Sequence, residues 1–158
     1  MVDVTVIQGL SETNANTICD WTNSKGEDFL TQWAGCTLNF PLTASQLISL
    51  KDFYSIFYLD EFAGCIHKIR EEERNVHIGH FLVNPQMTGK GIGQKALTIF
   101  IELLFGDRNI DSISLVVFDD NIWAKKLYIK NGFKIIQTIE LPKKKHKMKK
   151  FRKQTRFL

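Results

Sequence analysis

The sequence predicts a mixed α/β domain whose sheet contains both antiparallel and parallel strands. Three segments in mid-chain are typical of strands joined by short charged turns: residues 54–59, 62–70 and 76–83. Short turns of this kind connect antiparallel neighbours. The chain then alternates between helix and strand: residues 91–105, 112–118, 121–130 and 133–141. Because alternation of this kind favours parallel pairing, the two halves together predict a mixed sheet.

Length and composition fit one ordinary globular domain. The chain has 158 residues, of which 44% are hydrophobic and 24% are charged. No apolar run is long enough to cross a membrane, and the start lacks the basic segment of a secretory signal. Cys19, Cys36 and Cys65 have no metal-ligand spacing. We therefore expect a cytoplasmic protein with reduced thiols, without a metal and without a membrane partner.

The first third of the chain predicts one strand and three short helices. Residues 2–7 alternate as a strand does, and Ser11 is placed to cap a helix that ends near Trp21. The segment GEDFLTQWAGCTLNFPLT reads as a short amphipathic helix and an aromatic loop. Thr43 and Gln46 then have the spacing of a capping box ahead of a helix through Leu50.

The second half contains the clearest elements. Six apolar residues share one face of the helix predicted at 91–105: Ala96, Leu97, Phe100, Ile101, Leu104 and Phe105. The strand at 112–118 is continuously apolar, as a buried central strand should be. Asn131 and Gly132 predict a left-handed end for the helix at 121–130.

A glycine-rich turn joins the strand at 76–83 to this helix. It reads NPQMTGKGIG, with glycines at positions 89, 91 and 93. Glycine allows a tight turn and a close ligand, and the free amides of a helix start attract a pyrophosphate. The turn lacks the Gly-Lys-Ser/Thr ending of a P-loop, and an antiparallel meander precedes it where a Rossmann fingerprint needs a βαβ unit. A structural turn without a ligand is the alternative.

Two motifs resemble those of the GNAT superfamily of acetyl-CoA-dependent N-acetyltransferases. The run VHIGHFLVNPQMTGKGIGQKAL resembles its acetyl-CoA-binding motif, and NIWAKKLYIKNGF resembles its second signature, N-x-x-A-x-x-x-Y-x-x-x-G-F. The likeness is firm over residues 54–140, and WAGCTLNFPLT is similar to a stretch of some bacterial members. It implies the GNAT fold, with antiparallel N-terminal strands and a parallel pair, 76–83 and 112–118, that splays apart.

The resemblance also implies a site for acetyl-CoA. The pantetheine arm would pair with backbone at Leu82 and Val83, and Asn121 and Ala124 would face it. The pyrophosphate would lie on the amides of six turn residues: Thr88, Gly89, Lys90, Gly91, Ile92 and Gly93. Thr88 stands where the family usually has Gln or Arg, which predicts weaker binding rather than none. A second register, beginning at Gln86, fits the formula but moves the start of the helix.

The chemistry implied is direct attack of a primary amine on the thioester, through a tetrahedral intermediate. Lysine amines titrate near ~10.4 and α-amines near ~8, so a base must remove a proton. The position of the family's glutamate holds His77, and residue 128 matches the tyrosine beside the thioester sulfur. We therefore predict His77, another residue or water as the base and Tyr128 as the proton donor. His80 is predicted to lie on the opposite face from His77.

The acceptor is open at this point: a protein α-amine or lysine, a polyamine, an amino acid or an antibiotic. Aromatic residues of the first third could line its pocket: Trp33, Phe40, Phe53 and Tyr54. Glu27 and Asp28 could attract a cation. Each of these aromatic residues is equally typical of a core, and Tyr128 or His77 could be ordinary buried residues.

Charge divides the chain into residues 1–142, a single acyltransferase domain, and residues 143–158. The second segment holds nine of the 21 basic residues and no acid, so the remainder is acidic. This segment is interpreted as a solvated tail, a last strand, or a surface for an acidic partner such as RNA. A CoA-binding sensor without turnover is the rival function. The resemblance allows a monomer or a homodimer.

Overall fold

The computed structural model describes residues 3–153, which form a seven-stranded sheet, five α-helices and one 3-10 turn. The strands are β1 (Val4–Gln8), β2 (Phe53–Tyr58), β3 (Glu61–Glu72), β4 (Asn75–Val83), β5 (Ser112–Phe118), β6 (Lys134–Ile139) and β7 (Lys145–Phe151). The helices are α1 (Glu12–Lys25), α2 (Glu27–Ala34), α3 (Ala44–Ile48), α4 (Ile92–Phe105) and α5 (Ile122–Lys130). The 3-10 turn, Pro85–Met87, follows β4.

The strands lie in the order β1-β2-β3-β4-β5-β7-β6. Every neighbouring pair is antiparallel except β4 and β5, which are parallel. This confirms the mixed sheet predicted from the sequence. Residues 145–151 of the basic C-terminal segment form β7 and lie inside the sheet, because β7 pairs with β5 on one side and β6 on the other.

Two hydrophobic cores lie on opposite faces of the sheet. On one face, α4 and α5 pack on β4, β5 and β7 around Phe100, Leu115 and Met148, all fully buried. On the other face, α1, α2 and α3 pack on β2, β3 and the end of β4. The helices of this second face therefore cover only the N-terminal half of the sheet.

The N-terminal helices differ in detail from the sequence prediction. Ser11 caps α1 by accepting a hydrogen bond from the amide of Asn14 at 3.1 Å, as predicted, but the helix continues to Lys25. The capping box of α3 does not form. The Gln46 side chain instead bonds the backbone of Asn39 at 2.8 and 3.1 Å, because the preceding loop folds back onto the helix start.

A β-bulge in β4 changes which face its histidines occupy. Cys65 pairs with Leu82 and His67 with Gly79, so β4 contains one more residue than β3 over this stretch. The extra residue is His80, which has a φ of 45°. The bulge shifts the alternation by one, so His77 and His80 both lie on the α1–α3 face. The prediction that they lie on opposite faces is wrong, because strict alternation assumes an unbroken ladder.

No helix within residues 3–153 is long and apolar enough to cross a membrane. Among the same residues, no group of three or more His, Cys, Asp or Glu side chains could hold a metal ion.

We expect Met148→Ala to lower the free energy of unfolding by about 2–4 kcal/mol, because it leaves a cavity at a fully buried position of β7. Phe151→Ala is the control on the same strand, since Phe151 is 63% exposed and should cost less than about 0.5 kcal/mol. Urea denaturation measures both. Equal effects would contradict the burial of Met148 in the core beneath α4 and α5.

Candidate active site between strands β4 and β5

The two parallel strands pair over only part of their length. Asn75, Val76 and His77 pair with Ser112, Ile113 and Ser114, and the described strands then separate. Beyond His77, the β5-facing edge of β4 lacks a strand partner among residues 3–153. Since an unpaired edge exposes backbone amides and carbonyls, it can accept an added extended chain.

Two cavities open along this separation. The turn cavity, about 580 Å³, lies between the end of β4, the glycine-rich turn and the starts of α4 and α5. The strand cavity, about 440 Å³, lies between the splayed halves of β4 and β5, beside α2 and the loop after it. The two cavities are neighbours, since both are lined by Gln32, Trp33, Phe81 and Asn121.

Most of the predicted site residues line one of these cavities. The turn cavity is lined by Leu82, Val83, Thr88, Gly89, Gly91, Ile92, Gly93 and Asn121. The strand cavity is lined by His77, Asn121, Ala124 and Tyr128. Lys90 lines neither cavity, and its side chain is exposed on the turn.

The start of α4 has the features of an anion site. Gly91 is the N-cap of α4 and has a φ of 77°, a left-handed conformation that favours glycine. Because glycine has no side chain, no side chain of the N-cap occupies the first amides of the helix. The first amides of the helix have no partner within the helix and point toward its positive end. Gly93 has a packing role, because a Cβ there would lie 2.8 Å from a ring carbon of Trp123. These two glycines therefore shape the turn cavity in different ways.

Asn121 lies where the two cavities meet. Its side-chain oxygen accepts a hydrogen bond from the amide of Ala124 at 3.3 Å and caps α5. Its side-chain nitrogen lies 3.5 Å from the backbone oxygen of Gln32 on α2. The residue thus connects the start of α5 to α2 across the cleft.

Tyr128 projects from α5 into the strand cavity. The ring packs against Phe81 and Phe133, with centroids 6.3 and 5.7 Å away. Burial raises the pKa of Tyr128 well above its usual value. The phenol is therefore protonated at neutral pH, and it can act there as a hydrogen-bond donor.

His77 lies where β4 and β5 begin to separate. Its Nδ1 is 2.9 Å from the hydroxyl of Ser114, which in turn accepts from the Asn75 side chain at 2.8 Å. Burial, with the positive charges of Arg70 and Lys147, lowers the pKa of His77 to about 4. The ring is consequently neutral at pH 7, and it is a weak base.

His80 belongs to a buried chain of hydrogen bonds behind the strand cavity. The carbonyl of Lys51, 2.6 Å from Nε2 of His67, requires that nitrogen to donate. In the neutral pair, Nδ1 of His67 then accepts from Nδ1 of His80 at 2.8 Å. Nε2 of His80 is left to accept from the hydroxyl of Thr37 at 2.8 Å, and that hydroxyl then cannot also donate to the carbonyl of Ala34, 3.0 Å away. Burial, followed by the neighbouring His67, lowers the pKa of His80 to about 4.

The proposed acceptor residues of the first third divide between cavity and core. Trp33 lines both cavities. Phe53 is buried and stacks on His67 at 4.3 Å, and Tyr54 packs on Phe100 at 5.0 Å. Phe40 lines neither cavity, and the same is true of Glu27 and Asp28.

Several lining residues were not anticipated from the sequence, among them Phe81 and Trp123, which pack together at 5.7 Å. Trp123 falls at an unspecified position of the second motif. As a single aromatic residue on a short predicted helix, it carried no other indication of a functional role. Phe81 was hidden by the bulge, since its inward direction depends on the extra residue beside it.

Comparison with known proteins agrees with this architecture. The sequence profile described as the Acetyltransferase (GNAT) family matches residues 17–133. A kanamycin resistance protein of Rhizobium radiobacter is 34% identical over 65 residues, which are 41% of this chain and 60% of that relative. That match therefore spans less than two thirds of the relative's length.

Solved structures share the fold over nearly the whole chain. The aminoglycoside acetyltransferase AAC(6')-Ib in complex with coenzyme A has a TM-score of 0.74 at 20% identity, with 95% of each chain covered. RimL, the ribosomal L7/L12 alpha-N-protein acetyltransferase in complex with coenzyme A, has a TM-score of 0.75 at 14% identity, covering 94% of this chain and 93% of that one. The TM-scores show that the fold is shared. Because the sequence identities are this low, these similarities establish the fold alone.

The buried pair of His67 and His80 should make the free energy of unfolding depend on pH. His80 titrates near 6.5 when unfolded and at about 4 when folded, so its contribution is complete above pH 6.5 and is lost as the pH falls toward 4. A shift of this size corresponds to about 3 kcal/mol. His80→Asn keeps a donor near the Nδ1 position, tolerates the positive φ and cannot titrate. Unfolding free energies should therefore fall less with acid in this variant than in the wild type, and equal slopes would refute the assignment.

Proposed function

Because the chain belongs to the GNAT acetyltransferase family, and is therefore an acetyl-CoA-dependent N-acetyltransferase, we propose that it transfers the acetyl group directly to a primary amine across the cleft between β4 and β5. The observation that carries this proposal is the continuity of the two cavities. The glycine turn and the unpaired edge of β4 open on one side, and Tyr128 and His77 lie on the other. A donor and an acceptor can thus meet at the strand ends.

The turn cavity fits the donor, acetyl-CoA. The amides from Thr88 to Gly93 at the start of α4 would hold its pyrophosphate, as the positive end of a helix does for phosphates. The edge of β4 at Leu82 and Val83 would hold the extended pantetheine arm by backbone hydrogen bonds. Asn121 and Ala124, on α5, would form the opposite wall.

Tyr128 would stabilise the leaving sulfur. Acetyl-CoA supplies an activated thioester; transfer forms the carbon–nitrogen bond and breaks the carbon–sulfur bond. The raised pKa of the phenol exceeds that of a thiol, so full proton donation from Tyr128 is uphill. We therefore assign it a hydrogen bond to the sulfur. The proton that the thiolate finally takes comes from the amine.

Proton removal from the amine would rest on His77 or on water beside it. The Ser114 hydroxyl can donate to Nδ1 of His77 or accept from it. Only the second arrangement leaves Nε2 as an acceptor. With a pKa of about 4, His77 in that form orients the amine or a water more effectively than it removes a proton.

We place this reaction in the cytoplasm, which supplies acetyl-CoA and keeps thiols reduced. Cys19, Cys36 and Cys65 are all free. Unpaired cysteines are typical of reducing compartments.

We expect Tyr128→Phe to lower kcat at least about tenfold with little change in acetyl-CoA affinity, because it removes the hydrogen bond to the leaving sulfur. Free-thiol release against a panel of amines measures the rate, and titration calorimetry measures binding. Tyr54→Phe, which alters a tyrosine packed on Phe100, serves as the control and should retain full activity. An undiminished rate in Tyr128→Phe would remove this residue from the mechanism.

We expect Gly91→Val to weaken acetyl-CoA binding by roughly tenfold or more, because a branched side chain disfavours the left-handed cap that aims the amides. Gly9→Val is the matched control, since Gly9 also has a positive φ, 108°, but lines neither cavity. Gly9→Val should lower the free energy of unfolding and leave the affinity for acetyl-CoA unchanged. Normal binding of acetyl-CoA by Gly91→Val would place the donor site elsewhere. If the unaltered protein binds acetyl-CoA but releases no thiol with any amine, the sensor without turnover would be favoured.

A further inference from the structure

The strand cavity carries positive rather than negative charge. In the part of the chain that the structure describes, no Asp or Glu side chain lines it, whereas Lys143 and Lys145 do. A polycationic acceptor such as an aminoglycoside or a polyamine needs carboxylates around the ammonium groups that do not react. Among the described residues, the wall of the strand cavity offers no such carboxylate.

A row of lysines extends from the cavity along β7. Lys145, Lys147 and Lys149 alternate with buried His146 and Met148, so the three side chains share one face. The register places them opposite residues of β5 on the same face: Phe118, Val116 and Ser114. Ser114 pairs with His77 on the next strand. The lysine row, defined as Lys145, Lys147 and Lys149, therefore lies on the face that bears His77.

Nearby acids do not neutralise this row. Asp119 lies 2.9 Å from Lys125 and 2.7 Å from His146, and Asp120 lies 3.3 Å from Lys143. Within residues 3–153, none of the three lysines of the row forms an ion pair. The helices α1, α2 and α3 cover the other half of the sheet, so the lysine row remains partly accessible.

The candidate base of the cavity favours an amine that loses its proton easily. Burial lowers the pKa of His77 to about 4, and both ring nitrogens of His80 are engaged, with His67 and Thr37. A lysine amine, near ~10.4, is almost entirely protonated at neutral pH, whereas an α-amine, near ~8, is neutral in about one molecule in ten. An α-amine therefore needs less help from the cavity than a lysine side chain does, and a chain terminus beside His77 lies only two strands from the row, because His77 pairs with Ser114 and Ser114 with Lys149.

We infer that the acceptor, in the transfer reaction proposed above, is the α-amine of an acidic peptide, whose first residues lie along the lysine row. Alternate side chains of an extended peptide are spaced about 6.7 Å apart, the same period as alternate lysines on β7. Acidic side chains at alternate positions can therefore contact successive members of the row while the amine lies beside His77.

The same face favours a peptide over a nucleic acid. Single-stranded nucleic acids bind where exposed aromatic rings stack on the bases. Two rings lie on this face, and each has a lysine over it: the Nζ of Lys143 is 4.3 Å from the ring centroid of Phe118, and the Nζ of Lys149 is 5.3 Å from that of Phe151. The neighbouring wall is aliphatic, formed by Ile69 and Val116, and suits peptide side chains.

Short synthetic peptides of equal length test this inference, one with acidic residues after a free N-terminus and one with lysines there. Free-thiol release should give a kcat/KM at least about tenfold higher for the acidic peptide, with an advantage that shrinks as salt rises. Mass spectrometry should locate the acetyl group on the α-amine. Kanamycin and spermidine should be poor acceptors. Stronger inhibition by a single-stranded oligonucleotide than by the N-terminally blocked acidic peptide would overturn the inference in favour of nucleic acid.

A charge-reversed variant tests the lysine row directly. In Lys145→Glu/Lys147→Glu we expect KM for the acidic peptide to rise about tenfold, with the KM for acetyl-CoA unchanged. Arg108→Glu, an exposed reversal in the loop between α4 and β5, should leave both constants unchanged. Unchanged peptide KM in the double variant would refute the role of the row. Efficient acetylation of kanamycin or spermidine with none of the acidic peptide would overturn this inference alone, whereas failure to bind acetyl-CoA would overturn the proposed function itself.

Discussion

The separation of β4 from β5 is the constraint on which the rest of the site depends. β5 is held along its whole length by β7, while β4 is held by β3 and is bent by the bulge at His80. Since each strand keeps a different partner, the two can pair only over their first three residues. The gap exposes one edge of β4 and admits Tyr128 from α5. Continuous pairing would close both cavities and leave the glycine turn without a cleft to face.

The two cavities differ in the chemistry that they can perform. The turn cavity offers backbone amides at a helix start, which bind an anion without depending on particular side chains. The strand cavity instead presents neutral histidines, a protonated phenol and lysines at its rim. In the proposed function, donor binding would depend on the backbone of the fold, while acceptor choice would depend on side chains on the exposed half of the sheet.

Such a division would allow proteins of one fold to differ in acceptor. The solved structures with TM-scores of 0.74 and 0.75 include an aminoglycoside acetyltransferase and a protein α-N-acetyltransferase, yet they share only 20% and 14% identity with this chain. The shared framework is therefore backbone geometry. In this chain, β7 supplies the charge beside the cleft, because alternate lysines point to the open face while His146 and Met148 fill the core. A strand that completes the sheet thereby also sets the electrostatic character of the proposed acceptor side.

The sequence by itself determined the features that depend on neighbours along the chain: the meander, the apolar face of α4, the glycine turn and the end of α5. It also identified the residues around the cleft, since Leu82, Thr88, Asn121 and Tyr128 line the cavities. Only the tertiary structure decided three matters. It placed β7 between β5 and β6, put His77 and His80 on one face, and packed Trp123 against Gly93. Each of these depends on contacts between residues distant in the chain, and local periodicity carries no information about where a ladder bulges or which strand fills a gap.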